Sequence, residues 1–399
     1  MSRFSISADN WTYVSEGNAN VVLRFWNTET DSEPEILRIP KVSEASPREE
    51  LQARVEQNRL IEYFMFPVFS RRLTLSEQRV VEGFSLSESD IEILSTVRPP
   101  FRLHKKNKLI PDIPLFPVVQ PDLMWLDSPN TLSVEIKPKW GFLPVGRRVS
   151  PIRASVPQFT LLQKKKLRED IIPEASEYNP LDLFSGEESR FLEAIRSLIG
   201  NPENNFQVYM RGKKIYGGFS SLRGEEFREQ LNKDQDVLKT VVSEAFSVRK
   251  VPDLETLSAV LGKRLFEASK ESLERIMQVQ KLCTVDIEDG IVDIFDDVRA
   301  HIDDWPQIPE DEITAFRDQV IEILEGSASV PNREPKTRTE KISLIRRFLL
   351  SATARDCSFM VTMTDSGGKH RTKILDTDFK GKEKIHGYYE LAKELSAVD

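Results

Sequence analysis

Two aspartates frame a pair of short apolar runs late in this chain. Asp356 precedes Ser358-Phe-Met-Val-Thr-Met363, and Asp376 follows Lys373-Ile-Leu375. Such runs read as β-strands, and carboxylates at the ends of adjoining strands can face one site. One can orient and deprotonate an attacking hydroxyl, while the other holds Mg²⁺ through oxygen ligands. Alone, an aspartate at a strand end is a turn residue or a helix cap. Here Lys380, Lys384 and Tyr388 follow at four-residue spacing. Wound as a helix, they would share one face suited to a phosphorylated ligand.

A second constellation is Glu135-Ile-Lys-Pro-Lys-Trp-Gly-Phe142. Lys137 and Lys139 flank a proline that limits the wander of the chain between them, and a glycine follows. An exposed lysine pair is ordinarily a solvated edge, but Pro, Trp and Gly fixing the local backbone favour a ligand-facing role. Earlier, Ser15-Glu-Gly-Asn-Ala-Asn20 permits a tight turn whose N–H groups can meet a phosphate. In isolation a plain hairpin is the better reading of that turn. Arg38 lies on the next strand, where a cation could reach phosphates held under it.

Other chemistries lack their residues. The four histidines, His104, His301, His370 and His386, have neither zincin nor zinc-finger spacing. No G-x-S-x-G elbow, P-loop or dinucleotide fingerprint occurs. The protein-kinase H-R-D and D-F-G signatures are missing too. Cys283 and Cys357 form no disulfide framework, which suits a reducing compartment. The start, MSRFSISADNW, has no apolar stretch after its charge, and no uncharged apolar span of membrane length occurs. An intracellular location, cytoplasmic or nuclear, without a membrane partner is expected.

Charge at first argues against a polyanionic partner, because the 399 residues carry a net charge of -8. Its distribution argues otherwise. Arg98 to Lys108 holds five basic residues and no acidic ones, and 130–170 holds nine against three. Asp286 to Glu312 holds eleven carboxylates and one arginine. A chain so segregated can present a positive cleft while remaining acidic overall.

The elements that must position these residues follow from pattern. Residues 1–130 read as a small α+β lobe: a hairpin from Trp11 to Trp26, a strand at Ile36–Ile39, and a helix near Arg48–Phe64. Residues 131–399 read as a larger, mostly helical lobe. Leu132–Ile136 is a strand, and Ser185-Gly-Glu-Glu188 is a capping box opening a helix stopped at Gly200. Phe206–Tyr216 is a hairpin, and amphipathic helices cover 225–246, 252–282, 310–324 and 340–352. The last two strands join through a Gly367-Gly368 turn, and a final helix covers 388–395.

Taken together, the motifs resemble those of the inositol-pentakisphosphate 2-kinase family. The matching pieces are Glu16-Gly-Asn-Ala-Asn-Val21, Glu135-Ile-Lys-Pro-Lys-Trp-Gly-Phe-Leu-Pro144 and Phe159-Thr-Leu-Leu-Gln-Lys-Lys-Lys-Leu167. Tyr178-Asn-Pro-Leu-Asp-Leu-Phe-Ser-Gly186, Asn204-Asn-Phe, Ala354-Arg-Asp-Cys-Ser-Phe-Met360 and Asp376-Thr-Asp-Phe-Lys380 complete the set, in family order. The resemblance implies a bilobal, kinase-like α+β fold with a small β-rich N-lobe and a larger helical C-lobe. It also implies transfer of the ATP γ-phosphate to the 2-hydroxyl of inositol 1,3,4,5,6-pentakisphosphate, with Mg²⁺ as cofactor. By similarity, Gly17, Asn18, Ala19 and Asn20 cover the ATP phosphates, and Arg38 stands where protein kinases keep their strand lysine. Lys137 bridges nucleotide and inositol phosphates. Lys139, Lys166 and one of Asn204 and Asn205 lie on the inositol side. Asp356 resembles the base, Asp376 a Mg²⁺ ligand, and Lys380, Lys384 and Tyr388 substrate contacts. Either Arg98 or Arg102 is the small-lobe phosphate clamp.

The chain departs from the family pattern in places. Leu161 and Leu162 stand where Met and His are usual, Gly381 where Pro is usual, and the Cys/His zinc site of some members has no ligands, so no structural metal is expected. Two rival readings remain: a non-catalytic inositol-polyphosphate-binding scaffold, and a nucleic-acid binder using the basic clusters. The pair Asp356 and Asp376 speaks against the first, and the absence of RRM, KH or helix-turn-helix signatures against the second. A monomer acting on a small molecule is the expected form.

Overall fold

The computed structural model describes residues 11–16, 20–26, 34–43, 46–70, 79–80, 88–98, 108–109, 118–126, 130–218, 222–331, 334–365 and 369–398. Gly17, Asn18, Ala19, Arg102 and the Gly367-Gly368 turn lie outside these residues. The fold is mixed α+β and divides into two compact units. Met1–Tyr63 and Thr74–Pro129 form one, and Phe64–Leu73 joins Asn130–Asp399 in the other. Among the described residues no helix is long and apolar enough to cross a membrane.

In the smaller unit, β1 (Trp11–Glu16), β2 (Asn20–Phe25), β3 (Glu35–Pro40), β5 (Arg79–Val80) and β7 (Val118–Pro121) build a sheet ordered β1-β2-β3-β7-β5. A separate two-stranded ladder joins β4 (Val42–Ser43) to β6 (Lys108–Leu109). Alternation puts Val21, Leu23 and Phe25 on one face, where Leu37, Ile39, Leu51 and Leu94 complete a buried core. Two sets of buried charges in this unit are matched. Arg24 pairs with Asp122, and the buried Glu16 takes Lys41 at 2.6 Å and two hydrogen bonds from Arg98, each at 2.8 Å.

The larger unit holds β8 (Leu132–Ile136), β9 (Phe206–Met210), β10 (Lys213–Tyr216), β11 (Ser358–Met363) and β12 (His370–Leu375). They form an antiparallel sheet ordered β10-β9-β8-β11-β12. Every residue of β11 is buried, as a strand covered on both faces requires. The helix Leu254–Gln280 lies against this sheet, where Ala268 accepts a hydrogen bond from the Thr372 hydroxyl. The same helix holds the 64–70 segment, because Arg275 donates to the carbonyls of Val68 and Pro67.

Two local expectations change. The helix Glu188–Gly200 has Glu187 as its N-cap with no side-chain cap, whereas Ser185 turns back on the preceding helix Pro180–Leu183 by donating to the Asp182 carbonyl. A short helix placed immediately upstream claims the serine first. The last helix begins at Lys384, so Lys380 lies in the connecting loop and does not share a helical face with Lys384 and Tyr388.

Candidate active site

Register forces the motif residues together. β8 and β11 are antiparallel with Ile136 opposite Phe359, β12 places Leu375 opposite Ser358, and β9 places Phe206 opposite Ile136. Four chain segments therefore enter or leave the sheet at one end: Lys137–Lys139, Asn204–Asn205, Asp356 and Asp376. None is near another in sequence except through this pairing.

At that end Lys137 Nζ lies 3.1 Å from Asp376, whose carboxylate also accepts from Ser358 Oγ at 3.4 Å. Asp356 is spanned by two ammonium groups, Lys139 on one oxygen at 3.4 Å and Lys380 on the other at 2.8 Å. Both carboxylates are about half exposed, so water and an incoming ligand reach them. Lys139 and Asp376 both adopt left-handed backbone, with φ of 61° and 56°. Non-glycine residues hold that conformation only where their surroundings impose it.

Lys380 is delivered by packing. Phe379 lies 4.5 Å from the Trp305 ring, and Trp305 Nε1 donates to the Lys380 carbonyl at 3.0 Å. Phe64 and Phe316 complete that aromatic group. Tyr388 shares a cavity of about 260 Å³ with Lys139, Trp140, Leu162, Arg355 and Asp356. Leu162 helps make this wall apolar where the family pattern offers an imidazole. Lys384 is exposed at the helix start, and Lys166 sits 3.3 Å from Glu203. Asn204 is exposed, whereas Asn205 is buried and bonded to the Lys137 carbonyl.

The charges tune one another. Burial works against the Asp356 carboxylate, yet Lys139 and Lys380 outweigh it and hold its pKa below the ordinary value. Burial lowers the pKa of Lys139, and Asp356 only partly compensates while Lys137 and Lys166 add repulsion. Lys137 is also penalised by burial, but Asp376 prevails and raises its pKa. Burial and then the neighbouring Asp376 push Glu135 up. Glu135 and Asp376 are thus neighbouring oxygen donors, a pair suited to a hard cation. Tyr388 is pushed up to about 12, chiefly by burial.

The smaller unit places its motif residues separately. Asn20 opens β2 opposite Pro40, and Arg38 sits half-buried on β3 between Val22 and Val118. Arg98 spends its Nε and Nη2 on Glu16.

A family profile described as inositol-pentakisphosphate 2-kinase matches residues 13–394. The chain belongs to the inositol-pentakisphosphate 2-kinase family. Among curated proteins of that name, one from Arabidopsis thaliana is 30% identical over 67% of this chain and 59% of its own length. One from Oryza sativa subsp. indica is 27% identical over 67% and 60%. One from Danio rerio is 25% identical over 97% and 92%. The chain thus spans about three-fifths of the length of these plant relatives.

Within this family member, sequence reasoning passed over Glu135, Ser358, Tyr178 and Gln280 at the larger unit's site, and Glu16 and Lys41 in the smaller unit. Glu135 carried a usable signal, since it lies in the strand that ends one residue before Lys137, two residues from that lysine. The others touch the motif residues only through the fold.

Proposed function

We propose that this chain transfers the γ-phosphoryl group of ATP to the 2-hydroxyl of inositol 1,3,4,5,6-pentakisphosphate, giving the hexakisphosphate. The reading assigns nucleotide covering to a kinase-like lobe over 1–130 and substrate binding to a lobe over 131–399. The observation that carries it is the Lys139–Asp356–Lys380 bridge, a carboxylate held between two ammonium groups beside the Lys137–Asp376 pair.

Phosphoryl transfer asks a protein for position and for neutralisation of charge more than for covalent chemistry. Lys139, Lys166, Lys380, Lys384, Tyr388 and the exposed Asn204 are the groups that meet substrate phosphates. With Arg98 engaged by Glu16, the small-lobe clamp is assigned to Arg102. Gly17 to Asn20 and Arg38 are assigned to the nucleotide. Asp376 and Glu135 would hold Mg²⁺, which supplies charge neutralisation on the nucleotide phosphates. Two protein carboxylates suit an ion that keeps waters and phosphate oxygens in its shell, and among the described residues no three His, Cys, Asp or Glu side chains form a closed cage.

Asp356 orients the 2-hydroxyl and takes its proton as the oxygen–phosphorus bond forms and the bond to the ADP oxygen breaks. Lys139 and Lys380 hold its proton affinity down. Substrate phosphates compete for those lysines, so binding the correct ligand releases the carboxylate and restores its basicity. Recognition and activation use the same two ammonium groups.

The deciding experiment incubates the protein with labelled ATP, Mg²⁺ and inositol pentakisphosphate and scores labelled hexakisphosphate. Asp356→Ala should abolish transfer while both ligands still bind. Folded wild-type protein that binds inositol pentakisphosphate without turnover would favour a scaffold instead.

A further inference from the structure

Beyond Ile136 the chain leaves the β8 ladder, because Pro138 has no N–H to donate. The carbonyls of Lys137, Pro138 and Lys139 consequently lose their strand partners. Irregular backbone packed into protein must have its polar groups satisfied from elsewhere. Three buried side chains do this, one per carbonyl and each from a different part of the chain. Asn205 Nδ2 donates to the Lys137 carbonyl at 2.9 Å, the Tyr178 hydroxyl to the Pro138 carbonyl at 2.8 Å, and Gln280 Nε2 to the Lys139 carbonyl at 2.8 Å.

All three donors are sequestered from water, Asn205 at 2% exposure, Tyr178 at 1% and Gln280 at 0%. Gln280 does more than the others. Its amide nitrogen also donates to the Ala354 carbonyl at 3.0 Å, and its oxygen accepts from Gly141 N–H at 2.9 Å. Ala354 ends the helix Arg338–Ala354, two residues before Asp356. One amide group thus ties the lysine segment to the turn that carries the carboxylate.

We propose that Asn205, Tyr178 and Gln280 are positioning residues: together they hold Lys137 and Lys139 in their site geometry, and Gln280 sets the distance from Lys139 to Asp356. This gives Asn205 a role behind the site, leaving Asn204 as the one free to meet a ligand, and it gives the tyrosine of the Tyr178–Gly186 box a function. The left-handed conformation of Lys139 is maintained by these bonds. The inference rests on the proposed kinase reading only for its kinetic arm.

The test compares wild type with Tyr178→Phe and Gln280→Met in the full chain. Tyr178→Phe removes one donor on the lysine side, so KM for inositol pentakisphosphate should rise about tenfold, with kcat little changed. Gln280→Met also frees the Asp356 turn, so kcat should fall as well, by about tenfold or more. In parallel, the acylation rates of Lys137 and Lys139 are followed by mass spectrometry. Both variants should raise these rates severalfold and leave surface lysines unaltered. Variants that melt earlier yet keep wild-type KM, kcat and acylation would overturn the proposal by showing a purely structural role. Should Gln280→Met fail to fold, Tyr178→Phe decides alone. Should wild type bind inositol pentakisphosphate but not phosphorylate it, the kinase reading falls, and unchanged acylation would still count against the cradle.

Discussion

Asp356 carries a contradiction that its neighbours resolve. The base role proposed for it needs proton affinity, yet two ammonium groups depress that affinity. The lysine-exchange mechanism predicts three ordered titrations, read by NMR at the Asp356 carboxyl carbon. Free wild type should titrate below the ordinary aspartate value. Lys380→Met should titrate higher, because one opposing charge is gone, and saturating inositol pentakisphosphate should raise it in wild type as well. Equal titration in all three samples would remove the mechanism. The sign for folding agrees: a depressed carboxylate adds stability above its unfolded pKa, and that contribution fades as pH falls through the folded value.

At the scale of elements, the Glu16 cluster is the counterpart in the smaller unit. Glu16 is fully buried and joins the end of β1 to Lys41 behind β3 and to Arg98 behind the helix Glu88–Val97. Burial alone would raise its pKa, but Arg98 and Lys41 pull it below the ordinary value. Glu16→Gln strands two cations and should destabilise the unit by about 3–5 kcal/mol. Hydrogen exchange across β1–β3 measures this, and the loss should shrink as pH drops through the folded pKa of the wild-type carboxylate. Strands and helices were largely legible from period, as Val21, Leu23 and Phe25 illustrate, whereas capping chemistry misled at Ser185. That Asp356 and Asp376 face one site was legible from the paired strands, but that Lys137 joins them was legible only as motif likeness, because antiparallel register is a long-range fact. Lys380 was misread as helical since its anchor, Trp305, lies 75 residues away in sequence. The carbonyl cradle left no local pattern at all, each donor being an ordinary polar residue until folded.

For the whole molecule, net charge was the least informative number. The acidic stretch from Asp286 to Glu312 is partly neutralised within the larger unit. Arg153 takes Asp286 and Glu288, Arg148 takes Asp293, Lys341 takes Asp297, and Arg346 takes Glu312. Arg153, counted from sequence with the basic segment, is therefore bound up with two carboxylates of the acidic stretch, and Arg148 pairs with an exposed one. If the cations near Asp356 and Asp376 meet the substrate phosphates as proposed, KM for inositol pentakisphosphate should rise steeply between about 50 mM and 500 mM salt as screening shortens their reach. A flat dependence would assign binding to uncharged contacts. The internal bridges have one more consequence, for discrimination. A ligand carrying a single phosphate can free one lysine from its aspartate and gains little by exchanging one counter-ion for another. A ring bearing several phosphates addresses Lys137, Lys139 and Lys380 at once, and its contacts reinforce one another through a shared rigid frame. On the proposed reading the site would act as a threshold device, indifferent to abundant small anions and responsive to phosphates presented together.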